Sequence, residues 1–214
     1  ELKEKGMENM ILDLTGNGGG ILQTASDITD EYLGAGKLVV YTEGKNQPRL
    51  ELKTTSKGGF EKGRLVILVD EGSASASEIV AGAVQDWDRG VVVGRRTFGK
   101  GLVQRQIPLP DGTMIRLTVA RYYTPTGRSI QKPYENGKAD EYHKDFINRF
   151  EHGEMLHADS IHFPDSLKYK TLGNERTVYG GGGIMPDYFV AVDTTSLSDL
   201  HRNLIAKGVI NKLA

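Results

Sequence analysis

The chain has 214 residues, enough for one sizeable core or two small ones. Its 27 basic and 28 acidic residues nearly cancel, which gives no reason to expect a nucleic-acid or anionic-membrane partner. Cysteine is absent, so disulfides, thiolate metal sites and cysteine nucleophiles are excluded, and no apolar run approaches the roughly 20 residues of a membrane-spanning helix.

The opening ELKEKG is charged and has no apolar signal-peptide core; residues 1–8 read as the end of an amphipathic helix closing near Gly6, and the start reads as a cut within a longer protein. Residues 10–14, MILDL, form a short buried strand that runs into Thr15-Gly16-Asn17-Gly18-Gly19-Gly20. A glycine cluster between strand and helix can cradle a phosphate. The spacing argues against that here. Counted from Gly16, the sixth place of GxGxxG is Ile21, the count from Gly18 fails too, and the Lys-Ser/Thr ending of a Walker loop is missing. Residues 21–33 read as a helix with Ile21, Leu22, Ala25, Ile28, Tyr32 and Leu33 on one side, stopping at Gly34-Ala35-Gly36. Residues 38–42 and 50–54 are strands of a hairpin around the turn formers of 43–49.

Residues 65–69, LVILV, are short and apolar enough for a fully buried strand. Asp70-Glu71-Gly72 breaks the run, and Ser75-Ala76-Ser77-Glu78 fits the Ser-x-x-Glu spacing that starts a helix. Ile79, Val80, Ala83, Val84 and Trp87 then recur at helical spacing, so one face is apolar. A serine therefore sits where a buried strand turns into a helix, beside backbone N–H groups that can hold a developing negative charge. A second apolar run, 91–93, leads to Thr97-Phe98-Gly99-Lys100-Gly101, a lysine between two glycines. Taken singly, the serine is a helix cap and the lysine a solvated turn.

Residues 102–109 and 113–123 flank Pro110-Asp111-Gly112, whose proline presets φ and whose glycine supplies a positive one. Ile115, Leu117 and Val119 alternate with Arg116, Thr118 and Ala120, as in a half-buried strand. Strand–helix–strand units followed by hairpins give an α/β core with an antiparallel portion. From 131 to 179 the chain turns polar and reads as an insertion in which 145–150 forms a helical turn or two. His143, His152, His157 and His162 lie there without the close pairing of a zinc helix, so no metal site is expected. Gly180-Gly181-Gly182-Gly183-Ile184-Met185-Pro186-Asp187 follows, then a strand at 190–192 and a helix at 197–204.

SASASE after a buried strand, with TFGKG and then Gln104, resembles the C-terminal processing (tail-specific) peptidases, serine endopeptidases with a Ser–Lys dyad. The resemblance implies a ClpP/crotonase-like fold, a parallel sheet with helices plus antiparallel hairpins. It makes Ser75 the nucleophile, Lys100 the general base and Gln104 the residue that orients the lysine. The glycine run is similar to the family's DLRxNxGG element, with Thr15 in place of the arginine; it makes the N–H groups of Gly20 and Ala76 the oxyanion donors. Residues 121–128, RYYTPTGR, and residues 180–187, GGGGIMPD, resemble the family's R-Y-x-T-P-x-G and G-I-x-P-D elements.

The chemistry asks for these residue types. A serine hydroxyl must lose its proton as it attacks, and a lysine accepts one only when neutral, although its free pKa is roughly 10.4; burial favours the neutral form. Gln104, if strand-like, falls on the same face as Lys100, unless a bulge intervenes. The resemblance further implies that residues 1–214 are a catalytic core, that a PDZ-type domain precedes it in the full-length chain, that the substrate is a protein or peptide cut near its C-terminus, that no cofactor is needed and that the protein works in the periplasm or is otherwise exported. Homo-oligomerisation stays open. Two alternatives stand beside this reading: a Ser75–histidine hydrolase, which would survive Lys100→Ala, and a non-catalytic crotonase-like binding module.

Overall fold

The computed structural model describes residues 2–56, 58–134, 139–194 and 198–206. In place of the helix expected at the start, residues 2–6 form tight turns, with Lys5 N–H bonded to Leu2 C=O and Gly6 N–H to Lys3 C=O. Then come β1 (Asn9–Asp13), α1 (Leu22–Asp30), β2 (Leu38–Gly44), β3 (Gln47–Lys53), β4 (Arg64–Val69), α2 (Ala76–Asp86), β5 (Val91–Gly94), β6 (Leu102–Pro108) and β7 (Met114–Tyr123). They are followed by α3 (Ala139–Glu151), β8 (Lys168–Lys170), β9 (Thr177–Tyr179), β10 (Tyr188–Phe189) and α4 (Asp199–Ala206).

By their contacts the residues divide into two compact units, one of 1–134 with 163–189, the other of 135–162 with 190–214. The first holds a parallel sheet in the order β1-β4-β5-β10 and an antiparallel sheet in the order β3-β2-β7-β6. The α/β reading with a parallel sheet and antiparallel hairpins is therefore the observed architecture. In β4 the buried Leu65, Ile67 and Val69 alternate with partly covered neighbours, as a strand between two others requires. These residues, with Val92, Ile79, Val80, Ala83 and Val84, form the centre of the core.

One element departs from its expected pattern in an informative way. The spacing gave α2 a single apolar face, yet all of Ala76–Asp86 is buried. Its polar positions survive burial because each has partners: Gln85 donates to Met185 C=O, and Asp86 accepts from Thr126. The partners of Gln85 and Asp86 come from 121–128 and from the returning segment 163–189, which polar composition had placed partly within the insertion. That segment carries the β8–β9 hairpin, which the sequence reading did not separate from its polar surroundings, and β10, which lies just before the expected strand at 190–192.

In the second unit α3 spans Ala139–Glu151, well beyond the turn or two expected at 145–150. Arg149, at its C-terminal end, is buried against Glu154. Val192 N–H donates to Met155 C=O at 2.9 Å. The terminal helix runs over Asp199–Ala206, while Leu197, its expected start, lies outside the described residues.

Candidate active site

Ser75 stands immediately before α2 with φ 57° and ψ −115°, one of three non-glycine residues with positive φ among those described. A residue held in so sparsely populated a backbone conformation must be fixed by its surroundings. Three bonds do so. The Glu78 carboxylate accepts the Ser75 N–H at 2.8 Å, the half of the capping box that Ser-x-x-Glu spacing calls for. The Ser75 carbonyl accepts from Glu78 N–H at 2.9 Å and from the Tyr122 hydroxyl at 3.0 Å.

The flanking serines of SASASE bind the glycine loop to this turn. Ser73 Oγ donates to Leu14 C=O at 2.7 Å and Ser77 Oγ to Asn17 C=O at 2.9 Å. Asp70 reaches the same loop by accepting Gly16 N–H at 2.8 Å. The closest approach is at Gly19, where a Cβ would lie 2.4 Å from Ala74 O and 2.6 Å from Ala76 N. Only glycine fits there. Thr15, which replaces the family's arginine, closes a local turn on Asp13 through both its N–H and its hydroxyl. Among the described residues neither Gly20 N–H nor Ala76 N–H has a protein acceptor, so both remain available at the mouth of the turn.

Glu78 also organises the lysine loop. The sequence reading saw it only as a cap, yet it is fully buried and accepts four bonds: Ser75 N–H, Thr97 Oγ1–H at 2.5 Å, Gly99 N–H at 2.7 Å and Lys100 N–H at 2.9 Å. Burial pushes its carboxyl above the usual range, against the pull of those four donors. The returning segment completes the brace, since Thr97 Oγ1 accepts Ile184 N–H at 2.6 Å and Thr97 N–H donates to Ile184 C=O at 3.1 Å. Gly99, at φ 85°, leaves no room for a Cβ between Gly183 N and Lys132 Cβ, 3.0 and 3.1 Å away. Gln131 and Lys132, assigned from polarity to the insertion, are buried on this loop: Gln131 Oε1 accepts Gly101 N–H at 2.8 Å, and Lys132 N–H donates to Gly99 C=O at 2.9 Å.

Ser75, Lys100, Gln104, Gly20 and Ala76 all line one cleft of about 570 Å³. A bulge does occur between Val103 and Gln104, but Val103 pairs with Ala120 and Gln104 with Thr118, so the extra residue, Val119, is on β7. The alternation along β6 is intact. Ser75 and Lys100 share the cleft without a mutual hydrogen bond, an arrangement common in substrate-free sites whose contacts tighten on binding. Among the described residues the charged side chains of the lining are all cations (Lys100, Arg105 and Arg116), and none of the lining residues is a histidine. Tyr122 spans both halves of the site, its hydroxyl contacting the carbonyls of Ser75 and Lys100.

A serine at positive φ at a helix start, two N–H groups without a protein acceptor and a lysine on one cleft are groups that serine acyl transfer can use. The profile of peptidase family S41 matches residues 1–138, more than half of the chain. The chain belongs to peptidase family S41. It is 44% identical over 126 residues to the carboxy-terminal-processing protease of Bartonella bacilliformis, covering 58% of this chain and 29% of the relative. It is 42% identical over 132 residues to the carboxyl-terminal-processing protease of a Synechocystis species, covering 62% and 30%. Among solved structures, photosystem II D1 C-terminal processing protease superposes with a TM-score of 0.56 at 36% identity, covering 61% of this chain and 33% of that one. The chain thus spans about 30% of the length of these two curated relatives. The family match stops before the segment that braces Thr97 from the other side.

Proposed function

We propose that this chain is the catalytic core of a serine endopeptidase that cuts polypeptides near their C-terminus, works exported from the cytoplasm and is completed in the full-length protein by a PDZ-type domain. Ser75 Oγ attacks the scissile carbonyl carbon while Lys100 Nζ takes the hydroxyl proton. The oxygen that becomes negative is held by the N–H groups of Gly20 and Ala76. Lys100 then returns the proton to the leaving amine, the C–N bond breaks and an acyl ester remains on Ser75. Water, deprotonated by the same lysine, hydrolyses that ester and frees the serine. Gln104 orients the lysine.

The observation that carries the reading is the strained Ser75 at the start of α2, on the same cleft as Lys100, Gly20 and Ala76. Among the described residues no histidine lines that cleft, which weighs against a Ser–His hydrolase. A pure binding module would have no use for the strain at Ser75. The test is turnover of an unstructured polypeptide by the full-length protein. Ser75→Ala and Lys100→Ala are each expected to lower kcat by a factor on the order of 10⁴–10⁶. Lys100→Ala retaining activity that falls away at acidic pH would point to a histidine base instead.

A further inference from the structure

The Ser75 cleft carries charge of one sign. Among the described residues its lining holds Lys100, Arg105 and Arg116 and no carboxylate, in a chain whose 27 basic and 28 acidic residues nearly cancel. Lys100 is taken up by the proposed chemistry, and the two arginines are not. Arg95, Arg128 and Arg149 each hold a carboxylate of the chain within 3.2 Å and so fasten the fold. The Arg105 and Arg116 guanidinium groups have no hydrogen bond or ion pair among the described residues, and both residues are exposed. A guanidinium stays charged at any working pH and has five donors to give. A cleft lined by one sign of charge concentrates ligands of the other.

The strand pairing shows where this charge stands relative to the reacting groups. Across the β6–β7 ladder Gln104 faces Thr118, and Gln106 faces Arg116. Directly opposed residues share a face of the sheet, and so do residues two apart on one strand. Arg116 is therefore on the Gln104 face, displaced by two residues, roughly 7 Å along the strand. The displacement is away from Lys100, since β6 runs from Leu102 through Gln104 to Gln106. Arg105 projects from the opposite face and still borders the cleft. A carboxylate held at Arg116 is thus kept off the Lys100 amine, whose ammonium form it would otherwise favour.

We infer that Arg116, reinforced by Arg105, is a carboxylate subsite of the Ser75 cleft, so that the preferred polypeptides carry a carboxylate a few residues from the bond that is cut. The inference rests on the peptidase reading and adds to it a substrate preference. A terminal carboxylate and an Asp or Glu side chain offer the guanidinium the same pair of oxygens. Because both arginines are exposed, the preference is graded: a pair of this kind is worth about fivefold in kcat/KM.

The experiment gives the full-length protein matched peptides that carry Glu or Gln at successive positions on either side of the cut bond, each with a free or an amidated C-terminus. Glu is expected to exceed Gln about fivefold at one position if a side chain is the ligand, and the free terminus to exceed the amide by as much if the chain end is. The preference should fade at about 1 M salt, where the screening length is roughly 3 Å. It should vanish in Arg116→Gln. In Arg116→Glu it should invert, with Lys at the same position now favoured over Gln, a gain that a misfolded variant cannot produce. Equal rates across the whole peptide set overturn the inference, and so does a preference that survives Arg116→Gln. A wild-type protein that takes no fluorophosphonate label at Ser75 overturns the peptidase reading and this inference together, whereas labelling and cleavage without charge preference overturn this inference alone.

Discussion

At its N-terminal end α2 surrounds one buried carboxylate, Glu78, with four neutral donors and no cation. At its C-terminal end Asp86 lies 2.7 Å from Arg128, both side chains fully buried, and just beyond it Asp88 and Asp187 share Arg176. Both ends bind distant parts of the chain to one helix, but with different chemistry. Charge pairs at the C-terminal end lock segments together. Neutral donors at the N-terminal end assemble two loops without placing an acid beside the Lys100 amine, which makes no ion pair among the described residues. A carboxylate paired to a lysine favours the ammonium form, which has no lone pair with which to accept a proton. Under the proposed function, the contrast separates the end that fastens from the end that reacts.

Breaking the C-terminal lock should have the largest effect on stability. Arg128→Met leaves Asp86 buried without its cation, and the expected loss is about 3–5 kcal/mol. Urea denaturation measures it, and a loss under about 1 kcal/mol would mean that Asp86 finds water or another partner. Glu78→Gln keeps the shape but sets an amide N–H against backbone donors. It should destabilise by about 2 kcal/mol and slow turnover at least tenfold, because both the serine turn and the lysine loop lose their anchor.

The two ends should also answer pH with opposite signs. Burial raises the Glu78 carboxyl above its ordinary value of 4.5. A raised native value means that its stabilising contribution is complete below about 4.5 and is lost as pH rises through that native value. Burial works in the same direction on Asp88, but Asn174 N–H and the Arg176 guanidinium outweigh it and hold the group below 3.8. The Asp88 contribution is therefore present above its ordinary value and is lost as pH falls through the depressed one. Midpoints from about pH 3 to 8 test both: the wild-type advantage over Glu78→Gln should shrink as pH rises, and that over Asp88→Asn, about 1–2 kcal/mol at neutral pH, should grow. Parallel trends would contradict the contrast. The smallest effect is expected from Tyr122→Phe, which removes a hydroxyl shared by the Ser75 and Lys100 carbonyls and should cost about 1 kcal/mol with a few-fold loss of turnover.

What could be read from the sequence was local. SASASE and TFGKG each lie within a few residues, and β4, α2 and the β6–β7 hairpin follow from apolar spacing and from Pro110-Asp111-Gly112. The placing of Gln104 on the cleft with Lys100 required β6 to stay regular, which it does because the bulge falls on its partner. The role of Glu78 was hidden, since its donors are spread from Ser75 to Lys100 and no local pattern reports them. The return of 163–189 was hidden for a related reason. Its strands, KYK and TVY, are short and polar, and the side chains that hold the segment at the end of α2 are Gln85 and Asp88, polar groups that composition reads as surface.

The central claim is that Ser75 is a nucleophile made reactive by Lys100. The most direct measurement treats the full-length protein, and separately its Lys100→Ala variant, with a fluorophosphonate and locates the adduct by peptide mass spectrometry. The account predicts one adduct, on Ser75, in the wild type and its loss in Lys100→Ala. An adduct on another residue, or equal labelling of Ser75 without the lysine, would contradict it.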